Sequence, residues 1–403
     1  MTNILPLEPA KTICLELAAK LDASPLGYAL KRPSHGRMLG VLVCTDGTVY
    51  KAFSGLLEGL YEYEGFVPPV FQAKEMQELL AVHDGIIKGA KDPKDSKEAS
   101  RACWNEVQRL YSFHCYDGLV RTLSEISPNA PSGTGDCCAP KLLNHAYMLG
   151  KKPLSMAEFF YGAGSHEHMQ FLPPCDFRCR QILKHMLGLD IVYYDGEIVV
   201  VDKPSGMLSI EGKGPDKQDC MASRVRSLYE GCIQQPCVHR LDQATSGLLV
   251  LGLTKMAHDR LSLAFERKEV HKTYEALVYG IVEESNGIVD LPIRLDVSNR
   301  PYQVVDFEYG RKAVTKWRKL SIENRYGTKC TRLELEPLTG RTHQLRMHCT
   351  YGLGHPIVGD ALYGDLELDT ALKIPRMMLQ ARRLSFTHPV SGEPMAFELD
   401  SDF

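Results

Sequence analysis

Near Leu187 the sequence changes to a series of short runs rich in valine, isoleucine and tyrosine, separated by turn-forming residues. The stretch LDIVYYDGEIVVVDKPSGMLSI, residues 189–210, contains two such turns, and an Asn-Gly pair follows at 286–287. β-Branched and aromatic residues favour strands, and Asp-Gly or Asn-Gly pairs favour tight turns between them. Few long helical patterns interrupt this part of the sequence. We therefore predict an α+β domain built on a largely antiparallel sheet.

The length of 403 residues exceeds what one hydrophobic core usually serves, so two domains are expected. We place an accessory domain at 1–185 and the strand-rich domain at 186–403. Within the accessory domain, residues 37–53 predict a hairpin, and helical periodicity predicts helices on both sides of Pro93. Residues 124–140, rich in serine, proline and glycine, predict a long loop. This domain is therefore expected to be α/β-mixed.

The bulk composition excludes several classes of protein. A net charge of -3 and a pI near 6.5 argue against a protein that coats nucleic acid through overall charge, although local basic surfaces remain compatible. The sequence has no long apolar run and no basic N-terminal region followed by an apolar segment, which predicts a cytoplasmic protein. The 13 cysteines are odd in number and scattered, so we expect reduced thiols or metal ligands rather than a disulfide framework.

A charged pair precedes an apolar strand in VHRLDQATSGLLVLGLTK, residues 238–255. An isolated aspartate such as Asp242 often caps a turn by accepting backbone N–H groups. Here Arg240 and His239 lie on the same loop, and neighbouring cations keep a carboxylate ionised. The stretch therefore predicts a carboxylate that can act as a nucleophile or a base.

Two further strands carry polar side chains beside apolar residues. Lys203 ends the strand of VVVDKPSGMLSI directly before a Pro-Ser-Gly turn, a position that by itself indicates only a turn. In HKTYEALVYG, residues 271–280, the alternation of a strand places Tyr274 and Lys272 on one face. Strand tyrosines mostly serve core packing, so neither segment identifies a function alone.

A fourth segment, residues 335–364, places Arg341, His343 and Arg346 in close succession. His343 and His348 are spaced so that they can bind a metal, but neither the glutamate of the zinc proteases nor a cysteine framework accompanies them. Arginine and histidine present several hydrogen-bond donors in fixed directions, so these side chains fit better as partners of phosphate and carboxylate groups.

In this order the four segments resemble the RluA-type family of pseudouridine synthases, and most closely its RluA branch. The resemblance rests on VVVDKPSGML, HRLDQATSG, KTYEALV, GRTHQLRMH and GHPIVGDALYG, and on LPIRLDVSNRPYQVV at 291–305. It covers about residues 190–403 and implies the fold of that family's catalytic domain, a mixed, mostly antiparallel bifurcated sheet with flanking helices. It also implies isomerisation of uridine to pseudouridine in a stem-loop of ribosomal or transfer RNA, with no cofactor and no metal. A monomer is expected only as the default, since the sequence does not show the oligomeric state.

The matching positions imply roles in the site. Asp242 is the catalytic aspartate, Tyr274 the aromatic residue that stacks on the target base, and Arg346 the arginine that pairs with the aspartate. The carboxylate would attack covalently or abstract the 2′ proton to give a glycal intermediate, and the sequence leaves both open. Arg240 would help to occupy the space of the flipped-out nucleotide. The predicted substrate-binding residues are Arg240, His239, Lys203, Arg341 and His343.

Two other functions compete with this interpretation. A non-catalytic RNA-binding protein that keeps the fold would be favoured by a departure at Asp242, Tyr274 or Arg346, and the sequence has none. Hydrolysis of a glycosidic bond requires two carboxylates that flank the bond, and only Asp242 has the required setting. Isomerisation therefore remains the leading hypothesis.

Residues 1–185 lie outside the resemblance, and their most distinctive feature is four cysteines: Cys137, Cys138, Cys175 and Cys179. A zinc ribbon has Cys-x2-Cys twice, whereas these cysteines form an adjacent pair and a Cys-x3-Cys pair. The spacing favours buried reduced thiols over a structural metal, with a redox role as a third alternative. The spacings of a zinc-dependent nucleobase deaminase are also absent. We expect this domain to help select or orient the RNA.

Overall fold

The computed structural model describes residues 3–89, 92–214 and 217–403. The chain divides into two compact units. The first unit comprises residues up to Gly196 together with Ser227–Glu230, and the second unit comprises Glu197–Arg226 and Gly231–Phe403. Within the described ranges, no helix combines the length and the apolar character that crossing a membrane requires.

The α-helices of the described residues are labelled in chain order: α1 (Ala10–Asp22), α2 (Pro25–Leu30), α3 (Ala73–Gly89), α4 (Pro93–Leu110), α5 (Leu123–Ile126), α6 (Cys138–Met148), α7 (Asp176–Leu187), α8 (Met221–Leu228), α9 (Lys255–Glu266), α10 (Gln344–Met347) and α11 (Leu366–Ala371). A π-helical turn, His348–Gly352, directly follows α10.

The strands are labelled in the same way: β1 (Arg37–Cys44), β2 (Val49–Phe53), β3 (Ser112–His114), β4 (Val120–Thr122), β5 (Pro153–Tyr161), β6 (Phe171–Leu172), β7 (Asp190–Tyr194), β8 (Ile198–Lys203), β9 (Ser246–Gly252), β10 (His271–Tyr279), β11 (Asn286–Asp290), β12 (Ile293–Leu295), β13 (Gln303–Val305), β14 (Val314–Arg325), β15 (Thr328–Pro337), β16 (Leu379–Thr387) and β17 (Pro394–Glu398).

An antiparallel sheet of order β2-β1-β5-β6 forms the centre of the first unit. The predicted hairpin at 37–53 is confirmed, since β1 and β2 pair with Val43 opposite Val49. α1 covers the sheet and buries Cys14, Leu17 and Leu21 against apolar side chains of β1 and β5. The mixed helix and strand content of this unit is as predicted.

Two local features of the first unit refine the sequence prediction. The proposed loop at 124–140 is shorter, because a capping box between Thr122 and Glu125 starts α5 and because α6 already begins at Cys138. The helices on both sides of Pro93 are confirmed, and α4 begins at this proline, where the missing N–H is not needed.

The compact units divide after Gly196, beyond the predicted boundary at 185/186.

A sheet of order β11-β14-β15-β10-β16-β9-β8 runs through the second unit, and β17 extends it from β16. Of these neighbours, β9 and β16 are parallel, and each of the other pairs is antiparallel. α9 and α10 flank the sheet. The predicted fold class, α+β with a mixed and mostly antiparallel sheet, is confirmed.

The central strand β9 positions the loop that carries Asp242. All seven of its residues are buried. Gly247 has a φ of 109°, and a Cβ atom there would lie 2.3 Å from the carbonyl oxygen of Ala381 on β16. Only glycine fits such a close approach. The end of the Asp242 loop is therefore fixed against the middle of the sheet.

Candidate active site

Asp242 lines a cavity of about 610 Å³ in the second unit, on the loop that leads into β9. Its backbone carbonyl oxygen accepts a hydrogen bond from the N–H of Thr245 at 3.0 Å, which closes a turn. Among the described residues, the carboxylate has no hydrogen-bond partner and no ion-pair partner in direct contact. The carboxylate therefore does not cap the turn, and both of its oxygens remain available to a bound molecule.

The ammonium group of Lys203 stabilises the Asp242 loop through hydrogen bonds to backbone carbonyl oxygens. Its side chain is fully buried, and Nζ donates to the carbonyl oxygens of Pro204, Met207 and Gln243 at 3.0, 2.7 and 3.1 Å. Burial lowers the pKa of Lys203 to about 8, and the charge of Asp242 opposes that shift. An ammonium group has three N–H donors, so none is left for a substrate. The geometry gives Lys203 a positioning role beside Asp242 rather than the predicted role in substrate binding.

Two serines of the same turn complete this support. Ser209 Oγ donates to the carbonyl oxygen of Leu241 at 2.8 Å and accepts from the N–H of Leu241 at 3.0 Å. Ser205 Oγ donates to the carbonyl oxygen of Ala244 at 2.7 Å. The turn after β8 therefore fixes the backbone on both sides of Asp242, and VVVDKPSGMLSI forms a support for the loop.

His239 also contacts the protein itself. Its Nε2 accepts a hydrogen bond from the N–H of Val250 at 3.1 Å, and its ring stacks on Phe265 with 4.5 Å between centroids. Burial, followed by the charge of Lys272, lowers the pKa of His239 to about 3. The imidazole is therefore neutral and anchors the loop to β9, while its predicted contact with substrate stays a prediction.

Tyr274 lines the same cavity as Asp242 and lies on β10. The pairing of β10 with β16 shifts register between Thr273 and Tyr274, an irregularity of the kind that re-aims a side chain. Lys272 lines the cavity as well, so the predicted shared face is confirmed. Burial and then the charge of Asp242 raise the pKa of Tyr274, because both disfavour the phenolate. The ring therefore faces the cavity with its hydroxyl protonated at neutral pH.

Arg346 forms its ion pair with Asp360. The guanidinium contacts Asp360 through two nitrogens, with Nε 2.8 Å from Oδ2, and both side chains are buried. No direct ion pair between Arg346 and Asp242 is present among the described residues, so the predicted pairing of these two is wrong. Arg346 still lines the cavity. Burial alone would lower its pKa, but the hydrogen bonds and charge of Asp360, together with the charge of Asp242, outweigh burial and raise it. Asp242 therefore influences the Arg346 guanidinium through its charge rather than by contact.

Asp360 is a site residue that the sequence analysis missed, although it lies in the quoted segment GHPIVGDALYG. Besides holding Arg346, its Oδ1 accepts the N–H groups of Leu362 and Tyr363 at 3.0 and 3.2 Å. The Tyr363 ring lies 5.1 Å from the Arg346 guanidinium. A buried carboxylate with this many donors holds the guanidinium in one orientation. The motif GHPIVGDALYG contains Asp360, but only the fold shows that its partner is Arg346.

The segment GRTHQ, residues 340–344, also lines the cavity. His343 has a positive φ of 56°, and its Nδ1 lies 2.7 Å from the Tyr363 hydroxyl. Gln344, a second residue that the sequence analysis missed, accepts from Arg341 N and Thr339 Oγ1 and donates to the carbonyl oxygen of Val314 and to Thr315 Oγ1. This buried amide therefore fixes the turn that presents Arg341 and His343.

Comparisons with known proteins identify the family of this chain. A family model described as RNA pseudouridylate synthase matches residues 197–351. The dual-specificity RNA pseudouridine synthases RluA of Haemophilus influenzae and Escherichia coli K12 are 44% and 41% identical to the chain over 215 residues, which is 53% of this chain and 94% of each relative. The chain belongs to the RluA-type RNA pseudouridine synthases. This confirms the predicted family.

The human protein RNA pseudouridylate synthase domain containing 1 is similar as well. It has a sequence identity of 31% and a TM-score of 0.45, and the match covers 53% of this chain and 84% of that structure. RNA pseudouridine synthases are isomerases, so the predicted enzyme class is also confirmed, and RNA is the substrate class. The comparisons give no support to the non-catalytic alternative.

The synthase cavity is strongly basic although the chain as a whole is slightly acidic. Five lysine or arginine side chains line it, against two carboxylates: Arg240, Lys268, Lys272, Arg341 and Arg346, against Asp242 and Glu266. Arg240 and Arg341 are exposed. Arg240 and Asp242 also line an adjoining cavity of about 540 Å³. The charge is thus concentrated where a polyanion would meet the carboxylate.

The residues that could hold a metal ion lie elsewhere. In the described parts of the chain, one group of three suitable side chains is found, formed by Cys137, Cys175 and Cys179 of the first unit. Cys138 is not part of it: its Sγ donates to the carbonyl oxygen of Met38 at 3.3 Å. The polar groups that line the synthase cavity instead include two carboxylates, a phenol, lysine and arginine side chains and two imidazoles.

Proposed function

We propose that this synthase isomerises uridines in stem-loops of ribosomal and transfer RNA, with Asp242 acting on a uridine that has left the base stack. The observation that supports this proposal most directly is the Asp242 carboxylate, which lines the basic cavity and has no direct hydrogen-bond or ion-pair partner among the described residues. The two relatives are named dual-specificity RNA pseudouridine synthases, which supports more than one kind of RNA substrate. The reaction breaks the glycosidic bond at N1 and rejoins the uracil through C5, so the cavity must retain a detached base.

Tyr274 is proposed as the surface on which the uracil rests. Its ring and Asp242 line one cavity, and an aromatic face stabilises any nucleobase by stacking. Because burial and Asp242 raise its pKa, the residue offers a phenol. A phenol can donate a hydrogen bond to a uracil oxygen, whereas removal of the C5 proton would first require loss of the phenolic proton.

Arg346 is proposed to support Asp242 electrostatically. Asp360 fixes the guanidinium in the cavity wall, and the two charges of this pair are buried. Interactions between charges weaken less with distance where water is excluded. Arg346 can therefore stabilise the negative charge of Asp242 without a direct contact that would block attack on the ribose or base.

Arg240 and Arg341 are proposed to contact RNA phosphates. Both are exposed at the cavity, and Arg240 has no ion-pair partner among the described residues. Extrusion of a nucleotide costs a few kcal/mol, which contacts to the flanking backbone must offset. Arg240, at the junction of the two cavities, would also fill the space that the nucleotide leaves.

Three further properties stay predictions: the monomeric state, a cytoplasmic location, and a role of residues 1–185 in selecting the RNA. The domain role is the one that affects function most directly. It predicts that the sites modified by this chain differ from those modified by a relative without such a domain. Mapping both enzymes on the same RNA compares the two sets of sites.

The experiment that tests the proposed function uses total RNA from cells that lack this protein. Incubation with the purified chain, followed by carbodiimide mapping, is expected to reveal new pseudouridines in loops of ribosomal and transfer RNA. Asp242→Asn should give none, whereas Asp259→Asn, an exposed aspartate on α9, should give the wild-type pattern. No new site with wild type, or the same sites with Asp242→Asn, would refute the proposal.

A further inference from the structure

Three thiols of the first unit meet at one point. The sulfur atoms of Cys137, Cys175 and Cys179 all lie within 4.8 Å of one another. These residues come from two distant stretches of the sequence, so it is the fold that gathers them. Two other described cysteines, Cys14 and Cys138, are fully buried like Cys179, but each of their thiols donates a hydrogen bond to a backbone carbonyl oxygen.

Two helices begin at this cluster. Cys137 is the N-cap residue of α6, Cys175 is the N-cap residue of α7, and Cys179 lies in the first turns of α7. Neither N-cap thiol makes a side-chain capping hydrogen bond. The positive ends of helix dipoles stabilise thiolates, which are the form of cysteine that binds metals. The N-terminal ends of α6 and α7 therefore place a positive electrostatic potential at the three sulfur atoms, and this potential favours thiolates.

The spacing fits a single ion. The described cysteines are free thiols. Tetrahedral zinc with Zn–S bonds of about 2.3 Å places its sulfurs about 3.8 Å apart, so adjustments of about 1 Å at most bring these thiols onto one ion. An iron–sulfur cluster needs its cysteines to span several metal atoms and inorganic sulfides. The Cys-x3-Cys pair at the start of α7 and the distant Cys137 can therefore bind one zinc ion together, which the sequence spacing alone did not predict.

One side of the cluster is open. Cys137 and Cys175 line a cavity of about 880 Å³, which is also lined by Glu158 of β5, Phe160 and His166. Glu158 is buried, and its Oε1 accepts a hydrogen bond from the N–H of Ala139 at 3.0 Å. Among the described residues its Oε2 has no partner. A carboxylate thus shares the cavity with the thiols without belonging to the cluster.

We propose that the first unit binds one Zn²⁺ through Cys137, Cys175 and Cys179, with an exchangeable water in the fourth position facing the cavity. Three protein ligands and one water are the donor set of reactive zinc sites, whereas structural sites are closed by a fourth protein ligand. Glu158 accepts a hydrogen bond from this water. The class of ligand that would replace the water is a small anion or nitrogen donor that fits the cavity. The site is separate from the pseudouridine chemistry of the second unit.

Metal content of the full chain tests the first part of the proposal. After dialysis against a slight excess of ZnCl₂ and gel filtration, mass spectrometry of the metal should give about one zinc per chain. Cys175→Ala and Cys179→Ala should lose most of it, and the matched control Cys138→Ala should retain it. Wild type without zinc, or zinc that survives in both cluster variants, overturns the site.

Cobalt substitution of the wild-type chain tests the open position and does not depend on whether a variant folds. The Co²⁺ form should show the visible bands of tetrahedral cobalt and thiolate charge transfer, and cyanide should shift the visible bands. Glu158→Gln should keep the metal but change the bands, because the N–H of Ala139 holds the amide oxygen and an NH2 donor then replaces the Oε2 acceptor. If cyanide leaves the bands unchanged but His166→Ala alters them, His166 is the fourth ligand and closes the site. This result would overturn the exchangeable water.

Discussion

The buried ion pair between Arg346 and Asp360 gives the sharpest test of how the synthase site is built. Asp360→Asn keeps the size of the side chain but leaves the Arg346 guanidinium buried without a countercharge. The two residues are 4% and 0% exposed. Removal of one partner of a buried pair costs about 3–5 kcal/mol. For a unit of roughly 200 residues this corresponds to a lowering of Tm by about 10 °C.

The unfolding of the second unit can be followed separately. The chain has two tryptophans, Trp104 in the first unit and Trp317 in the second. In a Trp104→Phe background, the urea dependence of fluorescence reports on Trp317 alone. The control Asp259→Asn removes an exposed charge and should leave the urea midpoint unchanged.

A double-mutant cycle separates the ion pair from general damage. Arg346→Met combined with Asp360→Asn should destabilise the second unit by less than the sum of the single changes, because the double variant buries no unpaired charge. Single effects that add to within about 0.5 kcal/mol would refute the coupling. Both single variants should also lower kcat, since the guanidinium no longer faces the cavity in a fixed orientation.

Three other results are expected. Tyr274→Leu should lower kcat/KM by about 5- to 150-fold, because base stacking contributes about 1–3 kcal/mol, whereas Tyr274→Phe should retain RNA binding; equal losses of binding would contradict the stacking role. The pKa of Lys203 is lowered to about 8, so the folded chain releases this proton before the unfolded chain does, and the free energy of unfolding gains at most about 3 kcal/mol as pH rises from about 8 to about 10.5. Urea midpoints of wild type and Lys203→Met should therefore diverge over this range, and a constant difference would count against the shift. Arg240→Ala and Arg341→Ala should each reduce the slope of log affinity against log salt by about 1 in filter binding, and an unchanged slope would exclude a phosphate contact.

The sequence predicted the residues whose chemistry is visible in a motif. Asp242 and Tyr274 stand in segments whose order matches the family, and strand alternation placed Tyr274 and Lys272 on one face. The α+β sheet followed from short strands and turn pairs. Strand alternation and turn pairs can be predicted from the sequence because they depend on residues that are neighbours in the chain.

Partners that are distant in the sequence were not predictable in the same way. Arg346 was paired with Asp242, but the fold places Asp360 beside it, where a buried guanidinium is neutralised. Lys203 looked like a substrate contact, yet three backbone carbonyls surround its ammonium group. The spacing of the cysteines argued against a metal site, whereas two converging helix starts bring three of the sulfurs together. In each case the decisive contact depends on tertiary packing.

Release of the C5 hydrogen tests the central claim most directly. Rejoining uracil to the ribose through C5 expels the hydrogen that this carbon carried, so RNA labelled with tritium at C5 of uridine should release tritium to water as each pseudouridine forms. Wild type and Asp259→Asn should release it at equal rates, and Asp242→Asn should be slower by at least about 10³-fold, as expected when the reacting carboxylate is removed. Release from Asp242→Asn at the wild-type rate would contradict the account.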